Sequence, residues 1–289
     1  MKIHPQTALG PVHYTVADME RVAAFYRNVL GFQERWRGEG SIALGTASRE
    51  LLRLTERPGA RPARRATGLY HTAFLVPTRR DLAHLVRQIA VHRVPVHGTS
   101  DHGTHLAIYL PDPEGNGIEL AWDYPREEWP MQGGKLIFSQ MRRGGVDIDA
   151  LFAELEREPA PWTGLPDGTV VGHVHLHVSD LKESERFYHE VLGFDVTLAS
   201  AQFGAVFVSA GGYHHHIGMN VWKGVGIAPP PPGSAGLRHF TILVPEAGEL
   251  DRLAQRLEAS GVEARAGAEG VWIKDPAGIE VLLAVAQGD

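Results

Sequence analysis

The chain of 289 residues contains no cysteine, which excludes disulfides, thiolate metal sites and thiol nucleophiles. Any metal it holds must be bound through nitrogen and oxygen. No run of about 18 apolar residues could span a bilayer, and MKIHPQTALG lacks the apolar stretch of a secretory signal, so a cytoplasmic location is expected. Basic residues are in the minority. The 28 Lys and Arg against 34 Asp and Glu leave a formal charge of −6, whereas a sequence-independent nucleic-acid binder needs a basic face. The one dense basic cluster, Arg61, Arg64 and Arg65, lies in a proline- and glycine-containing stretch and reads as solvated linker. With 43 % apolar residues the chain can bury one or two sizeable cores.

Histidine, by contrast, is plentiful, with 16 in the chain. In GHVHLHVSD, residues 172–180, alternation puts His173, His175 and His177 on one face of a strand and Val174, Leu176 and Val178 on the other. An unpaired buried imidazole is costly, so the histidine face is expected to look into a polar or metal-containing cavity.

The same stretch opens a repeat. VHYTVADMERVAAFYRNVLGF from Val12 aligns without a gap on VHLHVSDLKESERFYHEVLGF from Val174, pairing His13 with His175, Phe25 with Phe187 and Phe32 with Phe194. GLYHTAFLVP at Gly68 and GLRHFTILVP at Gly236 form a second pair, with His71 opposite His239. The chain therefore reads as four βαβββ modules, an α+β protein of two domains of about 125 residues each.

Module 1 (about 9–56) has a strand over 12–16 and a helix from the N-cap Asp18, with Val22, Phe25 and Leu30 at helical spacing and Gly31 as its stop. Short strands follow over 41–44 and 51–54. Module 2 (about 68–124) has a strand over 71–76, a helix over 81–91 and strands over 107–110 and 118–122 around the turn DPEGNG. Modules 3 (about 172–222) and 4 (about 236–285) repeat the plan, with a helix over 249–260 in module 4. Taken in order, modules 1 and 2 make a first domain (1–125) and modules 3 and 4 a second (171–289). The connector 126–170 carries a helix over 148–157, and it is long enough to let modules pair out of order instead.

Each module has a histidine on its first strand: His13, His71, His175 and His239. Modules 2 and 4 end with Glu119 in DPEGNGIEL and Glu280 in DPAGIEV, the second motif being two residues shorter. Two histidines and one carboxylate on strand ends make the set that leaves open positions on a non-haem Fe(II).

On FYRNVLGF, FYHEVLGF and DPEGNGIEL the chain resembles the vicinal-oxygen-chelate superfamily, which implies that the four modules form two glyoxalase-like open barrels. Four modules with GGYHHHIG at 211–218 further resemble the type I extradiol ring-cleaving dioxygenases, the catechol 2,3-dioxygenase group. Those enzymes carry, beside the metal triad, a histidine in an HHx(L/I)(A/G) strand, then a histidine and a tyrosine upstream of the glutamate ligand. His214-His215-His216-Ile217-Gly218 matches the first pattern and picks out His215, and module 2 supplies His102 and Tyr109 ahead of Glu119. Module 4 has neither, and module 1 has no match to His215.

The outer residues are thus split between modules 2 and 3. If modules pair in order, one site holds His13, His71 and Glu119 with His102 and Tyr109, and the other His175, His239 and Glu280 with His215. If module 2 pairs with 3 and module 1 with 4, one cavity collects the metal ligands His71, Glu119 and His175 with the catalytic residues His215, His102 and Tyr109. Ring-cleaving relatives of the hydroquinone dioxygenase type pair their modules out of order, and this arrangement is preferred.

The resemblance implies a dioxygenase that uses Fe(II), or Mn(II) in its place, and takes a small aromatic diol and O2 as partners. His215 would act as acid or base, and His102 and Tyr109 would hydrogen-bond the substrate. The alternatives are a glyoxalase-like metal-dependent lyase or isomerase, which normally wants two glutamates in one site, and an antibiotic-binding protein, which needs no metal. A homo-oligomer stays open. His173 and His177 read as flanking the ligand, His214 and His216 as a wall and a surface residue, Trp122 and Trp222 as packing or substrate wall, and His84 and His92 as solvated.

Overall fold

The computed structural model describes residues 2–142, 144–157 and 161–286. Module 1 comprises β1 (Ala8–Val16), α1 (Met19–Asn28), β2 (Gln33–Gly38), β3 (Ser41–Gly45) and β4 (Glu50–Glu56). Asp18 caps α1 by accepting the Arg21 N–H, and Met19, Val22, Ala23 and Tyr26 form its buried stripe. Gly31, at φ 74°, turns the chain out of the helix where a side chain would strain it.

Module 2 comprises β5 (Gly68–Leu75), α2 (Arg79–Val91), β6 (Gly98–Asp101), β7 (His105–Pro111) and β8 (Gly117–Asp123). Thr78 and Asp81 make a reciprocal capping box at the start of α2. The connector holds a small hairpin, β9 (Met131–Gln132) with β10 (Lys135–Leu136), and α3 (Ile148–Arg157), which packs on α2. Module 3 follows with β11 (Val170–His177), α4 (Leu181–Glu185) continued by a π-helical turn over Arg186–Val191, β12 (Asp195–Ser200), β13 (Ala205–Ser209) and β14 (Ile217–Asn220). Module 4 is β15 (Gly236–Val244), α5 (Ala247–Ala259), β16 (Ala264–Gly267), β17 (Gly270–Lys274) and β18 (Glu280–Val285). No helix among the described residues is long and apolar enough to cross a membrane.

The strands form two curled eight-stranded sheets, in the orders β12-β13-β14-β11-β5-β8-β7-β6 and β16-β17-β18-β15-β1-β4-β3-β2. The first joins modules 3 and 2 along the antiparallel pair β5/β11, and the second joins modules 4 and 1 along β1/β15. The sheets therefore cut across a division at 1–125 and 171–289, since each half of the chain contributes one module to each sheet. The 126–170 connector supplies the length this needs.

The sheets meet through their apolar faces. The Tyr14 hydroxyl of β1 donates to Thr72 Oγ1 of β5 at 2.7 Å, and Tyr26, Phe32 and Phe74 pack edge to face with centroids 5.1 to 6.2 Å apart. Val174, Leu176 and Val178 are fully buried in this core. Their alternation partners, the histidines of β11, are thereby turned to the opposite, concave face.

Candidate metal centre and active site

On the concave face of the sheet formed by modules 2 and 3, alternation sets His71 and Ala73 on β5, His105, Ala107 and Tyr109 on β7, and Glu119, Ala121 and Asp123 on β8. Register places Tyr109 opposite Glu119 and Ala107 opposite Ala121. The alanines are the reason large polar side chains fit between them. Gly218 of β14 serves the same end: a Cβ there would stand 3.0 Å from the His175 ring.

Three ligand atoms converge here. Glu119 Oε2 lies 3.1 Å from His71 Nε2 and 3.3 Å from His173 Nε2, and the ligand atoms of His71, Glu119 and His173 all lie within 4.8 Å of one another. His175, the expected third ligand, is outside this group. Its ring packs edge-on against His71 at 5.1 Å and beside Trp222 at 5.3 Å. The register explains the exchange: His175 faces His71 across the β5/β11 seam, whereas His173 faces Ala73, whose neighbour on the other side is Glu119.

The group fits a divalent metal. Both ring nitrogens of His71 are buried without a hydrogen-bond partner, and Glu119 Oε1 lies 3.0 Å from His105 Nε2 without the alignment of a hydrogen bond. Leaving such atoms unpaired in an interior is costly, and one cation bound by two imidazoles and a carboxylate would engage one nitrogen of His71 and the charge of Glu119. Burial opposes ionisation of Glu119, but the surrounding His173, His105 and His71 prevail and hold its carboxyl well below the ordinary range. Burial, with His71, His173 and His177 nearby, pushes His175 well below its usual value and keeps it neutral.

The other expected residues ring the same cavity of about 890 Å³. His215 stacks on Phe207 at 4.5 Å and lies 4.1 Å from the His173 ring. His102 Nε2 and the Tyr109 hydroxyl are hydrogen-bonded at 2.9 Å. Burial pushes His102 down to about 3, and burial beside Glu119 raises Tyr109 well above its ordinary value, so the pair is a neutral imidazole and an intact phenol. Tyr70, Phe203 and Trp222 form the mouth, in edge-to-face contact with centroids 5.2 Å apart. Leu136 and Met141 of the connector line the cavity as well.

His105 and Asp123, which the sequence did not single out, also lie here, as does His214, read from the sequence only as a wall or surface residue. His214 is buried, with Nε2 3.1 Å from Asp123 Oδ1 and Nδ1 2.8 Å from His215 Nδ1. The signal available was Asp123 two alternations beyond Glu119 on β8, hence on the same face. His177 bonds Asn220 and His216 bonds Ser209, both away from the metal group. Trp122 packs into the core beside Tyr124. His84, expected in solvent, is buried on α2 beneath Trp162, while His92 is exposed.

The sheet of modules 1 and 4 builds no equivalent. His13 Nε2 is bonded to Thr55 Oγ1 at 2.7 Å, and Glu280 reaches Lys274 and Arg265 at the surface. The shorter DPAGIEV turn is the cause. It brings Glu280 opposite His239 and leaves Leu282 opposite Thr241, the position at which module 2 has Glu119 opposite Ala73. On β1, Pro11 stands where module 3 has His173.

The family model of the Glyoxalase/Bleomycin resistance protein/Dioxygenase superfamily matches residues 8–120 and 170–283. A catechol-2,3-dioxygenase of Bacillus subtilis (strain 168) is 41 % identical over 278 residues, which cover 95 % of each chain. Among solved structures, a candidate dioxygenase of Bacillus subtilis subsp. subtilis str. 168 matches with a TM-score of 0.64 at 12 % identity, over 100 % of this chain and 87 % of its own. Glyoxalase I of Zea mays matches with a TM-score of 0.58 at 16 % identity, over 96 % and 92 %. At those identities the two structures speak to the fold alone.

Proposed function

The chain belongs to the glyoxalase/bleomycin resistance protein/dioxygenase superfamily, and on that premise we propose that it is an extradiol ring-cleaving dioxygenase, opening a catechol-like aromatic diol with O2. The 41 % identity to a catechol-2,3-dioxygenase over 95 % of both chains supports this reaction class. The observation that carries the site is the convergence of His71, Glu119 and His173 on one point beside His215, His102 and Tyr109 in a cavity walled by aromatic side chains. A lyase of the glyoxalase type normally wants a second glutamate, and the group has one carboxylate.

His71, Glu119 and His173 would hold the metal, Fe(II) in our reading, with Mn(II) suited to the same donors. When bound, the metal supplies Lewis acidity and open positions for the diol oxygens and O2. The protein's own residues do the rest. His102 and Tyr109, both neutral, hydrogen-bond the diol oxygens and hold the ring in register. The apolar mouth of Tyr70, Phe203 and Trp222 admits a flat ring and excludes water around it. His215, a neutral imidazole against the ligand His173, moves a proton between the diol and itself.

Turnover of a catechol under 18O2 tests the proposal. Both labelled atoms are expected in one ring-opened product. A product with one label, or none, contradicts it.

A further inference from the structure

Asp123, His214 and His215 form a hydrogen-bonded chain that ends at the cavity. His214 Nε2 lies 3.1 Å from Asp123 Oδ1, and His214 Nδ1 lies 2.8 Å from His215 Nδ1. The proton positions follow from the end that has no choice. A carboxylate oxygen only accepts, so the proton of His214 is on Nε2. A neutral imidazole has one N–H, which makes His214 Nδ1 an acceptor and His215 Nδ1 the donor to it. The remaining lone pair of His215 is then on Nε2. That ring lines the cavity, and no hydrogen bond engages its Nε2 among the described residues.

The rest of the environment holds this chain in place. His214 is 1 % exposed, covered by Tyr213 at 4.1 Å and by Trp129 of the connector at 5.1 Å. Arg126 pins the connector there by donating to the Gly211 carbonyl at 3.0 Å. Phe207, stacked at 4.5 Å, and His173, tilted at 4.1 Å, pack against the His215 ring.

We propose that Asp123 and His214 are positioning residues that fix the tautomer of His215, so that His215 meets the substrate as a base at Nε2 and not as an acid. The inference rests on reading the cavity as the ring-cleaving site. In the step it describes, a diol O–H bond breaks, the electron pair stays on the oxygen, and the proton bonds to His215 Nε2. The resulting imidazolium keeps its Nδ1 proton on His214, backed by the charge of Asp123.

A competing reading makes Asp123, His214 and His105 a second metal site, because their ligand atoms also lie within 4.8 Å of one another. The His105 and His214 rings are stacked, at 10° with centroids 4.7 Å apart. Their in-plane lone pairs therefore run side by side and do not converge on one ion. His214 also has both nitrogens engaged.

The test uses the full chain labelled with 15N-histidine and loaded with diamagnetic Zn(II), with His215 assigned by the signals lost in His215→Gln. Long-range 1H–15N correlation should show a protonated Nδ1 and an unprotonated Nε2, with one zinc per chain. Asp123→Ala should move the proton of His215 to Nε2 in a large part of the population and lower kcat on a catechol about 100-fold or more, with KM little changed. His214→Leu, which breaks the chain without touching Asp123, should do the same and stands in if Asp123→Ala does not fold. His214→Gln should keep the wild-type tautomer, since its amide can donate to Asp123 while its oxygen accepts from His215. Three results would overturn the proposal: Nε2–H in the wild type, an unchanged tautomer in both disruptive variants, or a second zinc lost with Asp123. The tautomer is read without diol or oxygen. A protein with the expected tautomer that consumes no O2 with any diol therefore sinks the ring-cleaving assignment and leaves the positioning intact.

Discussion

His173 Nε2 stands 3.3 Å from Glu119 Oε2 although a whole strand, β5, runs between β11 and β8. The residue in register with both is Ala73. Only its methyl group lies beneath the two side chains, and that is why they meet above it. Ala73→Leu would fill the space and hold them apart. Metal affinity should fall about 10- to 100-fold, the range for disturbing the support of a metal ligand, at an overpacking cost of about 1 to 3 kcal/mol in stability. Titration with Mn(II) followed by electron paramagnetic resonance, beside thermal melts without metal, separates the two effects. An unchanged affinity would mean that the ligands do not meet over Ala73.

The two histidines of β11 should behave differently. His173→Ala removes one imidazole of the proposed metal group and is expected to abolish tight metal binding. His175→Ala should leave the metal in place and alter substrate binding, because His175 packs with Trp222 and Tyr70 at the cavity wall. Metal content after exhaustive dialysis decides the matter, and retention in His173→Ala with loss in His175→Ala would reverse the assignment.

Tyr109→Phe keeps the ring and deletes the hydroxyl that His102 engages at 2.9 Å. If that hydroxyl holds the substrate, ring cleavage should slow by about one to two orders of magnitude while metal affinity stays within twofold. Equal loss of metal and activity would make Tyr109 a support of the metal group instead.

Acid should destabilise the protein, and part of the effect should come from the sheet that builds no site. Burial, together with its neighbours His239, Arg238 and Arg53, lowers His13 to about 3, and burial with Arg238 and Arg53 lowers His239 to about 4. The unfolded chain takes up these protons near the ordinary value of 6.5, so between about 6.5 and 4 it binds more protons than the folded chain. Stability is therefore full above pH 6.5 and falls as the pH drops, by up to ~1.4 kcal/mol per pH unit for each histidine. Denaturant midpoints from pH 7 to 4.5 should show this fall, and the double variant His13→Gln, His239→Gln should flatten it. An identical slope in the variant would assign the acid sensitivity to other groups.

Much of this was legible in the sequence because it rests on patterns that local physics enforces. The four modules, the caps at Asp18 and Gly31, and the inward face of β11 follow from alternation, helical spacing and turn residues. Two expectations differ from the observed geometry for one shared reason. His175 in place of His173, and Glu280 as the counterpart of Glu119, are both displacements of two residues along a strand. A shift of two keeps a side chain on the same face, so alternation cannot detect it, and only the register with neighbouring strands does. The roles of His214 and Asp123 were out of reach for a different reason, since they depend on a contact between β8 of module 2 and the β13–β14 loop of module 3. His84 was lost to the packing of Trp162, which comes from the distant connector.

Oxygen consumption on adding catechol to the anaerobically Fe(II)-loaded protein, measured for the wild type beside Glu119→Ala and Glu280→Ala, tests the central claim most directly. Stoichiometric uptake with a coloured ring-opened product is expected from the wild type and from Glu280→Ala, and none from Glu119→Ala. Loss confined to Glu280→Ala, or no uptake by a metal-loaded wild type with any of a panel of aromatic diols, would contradict it.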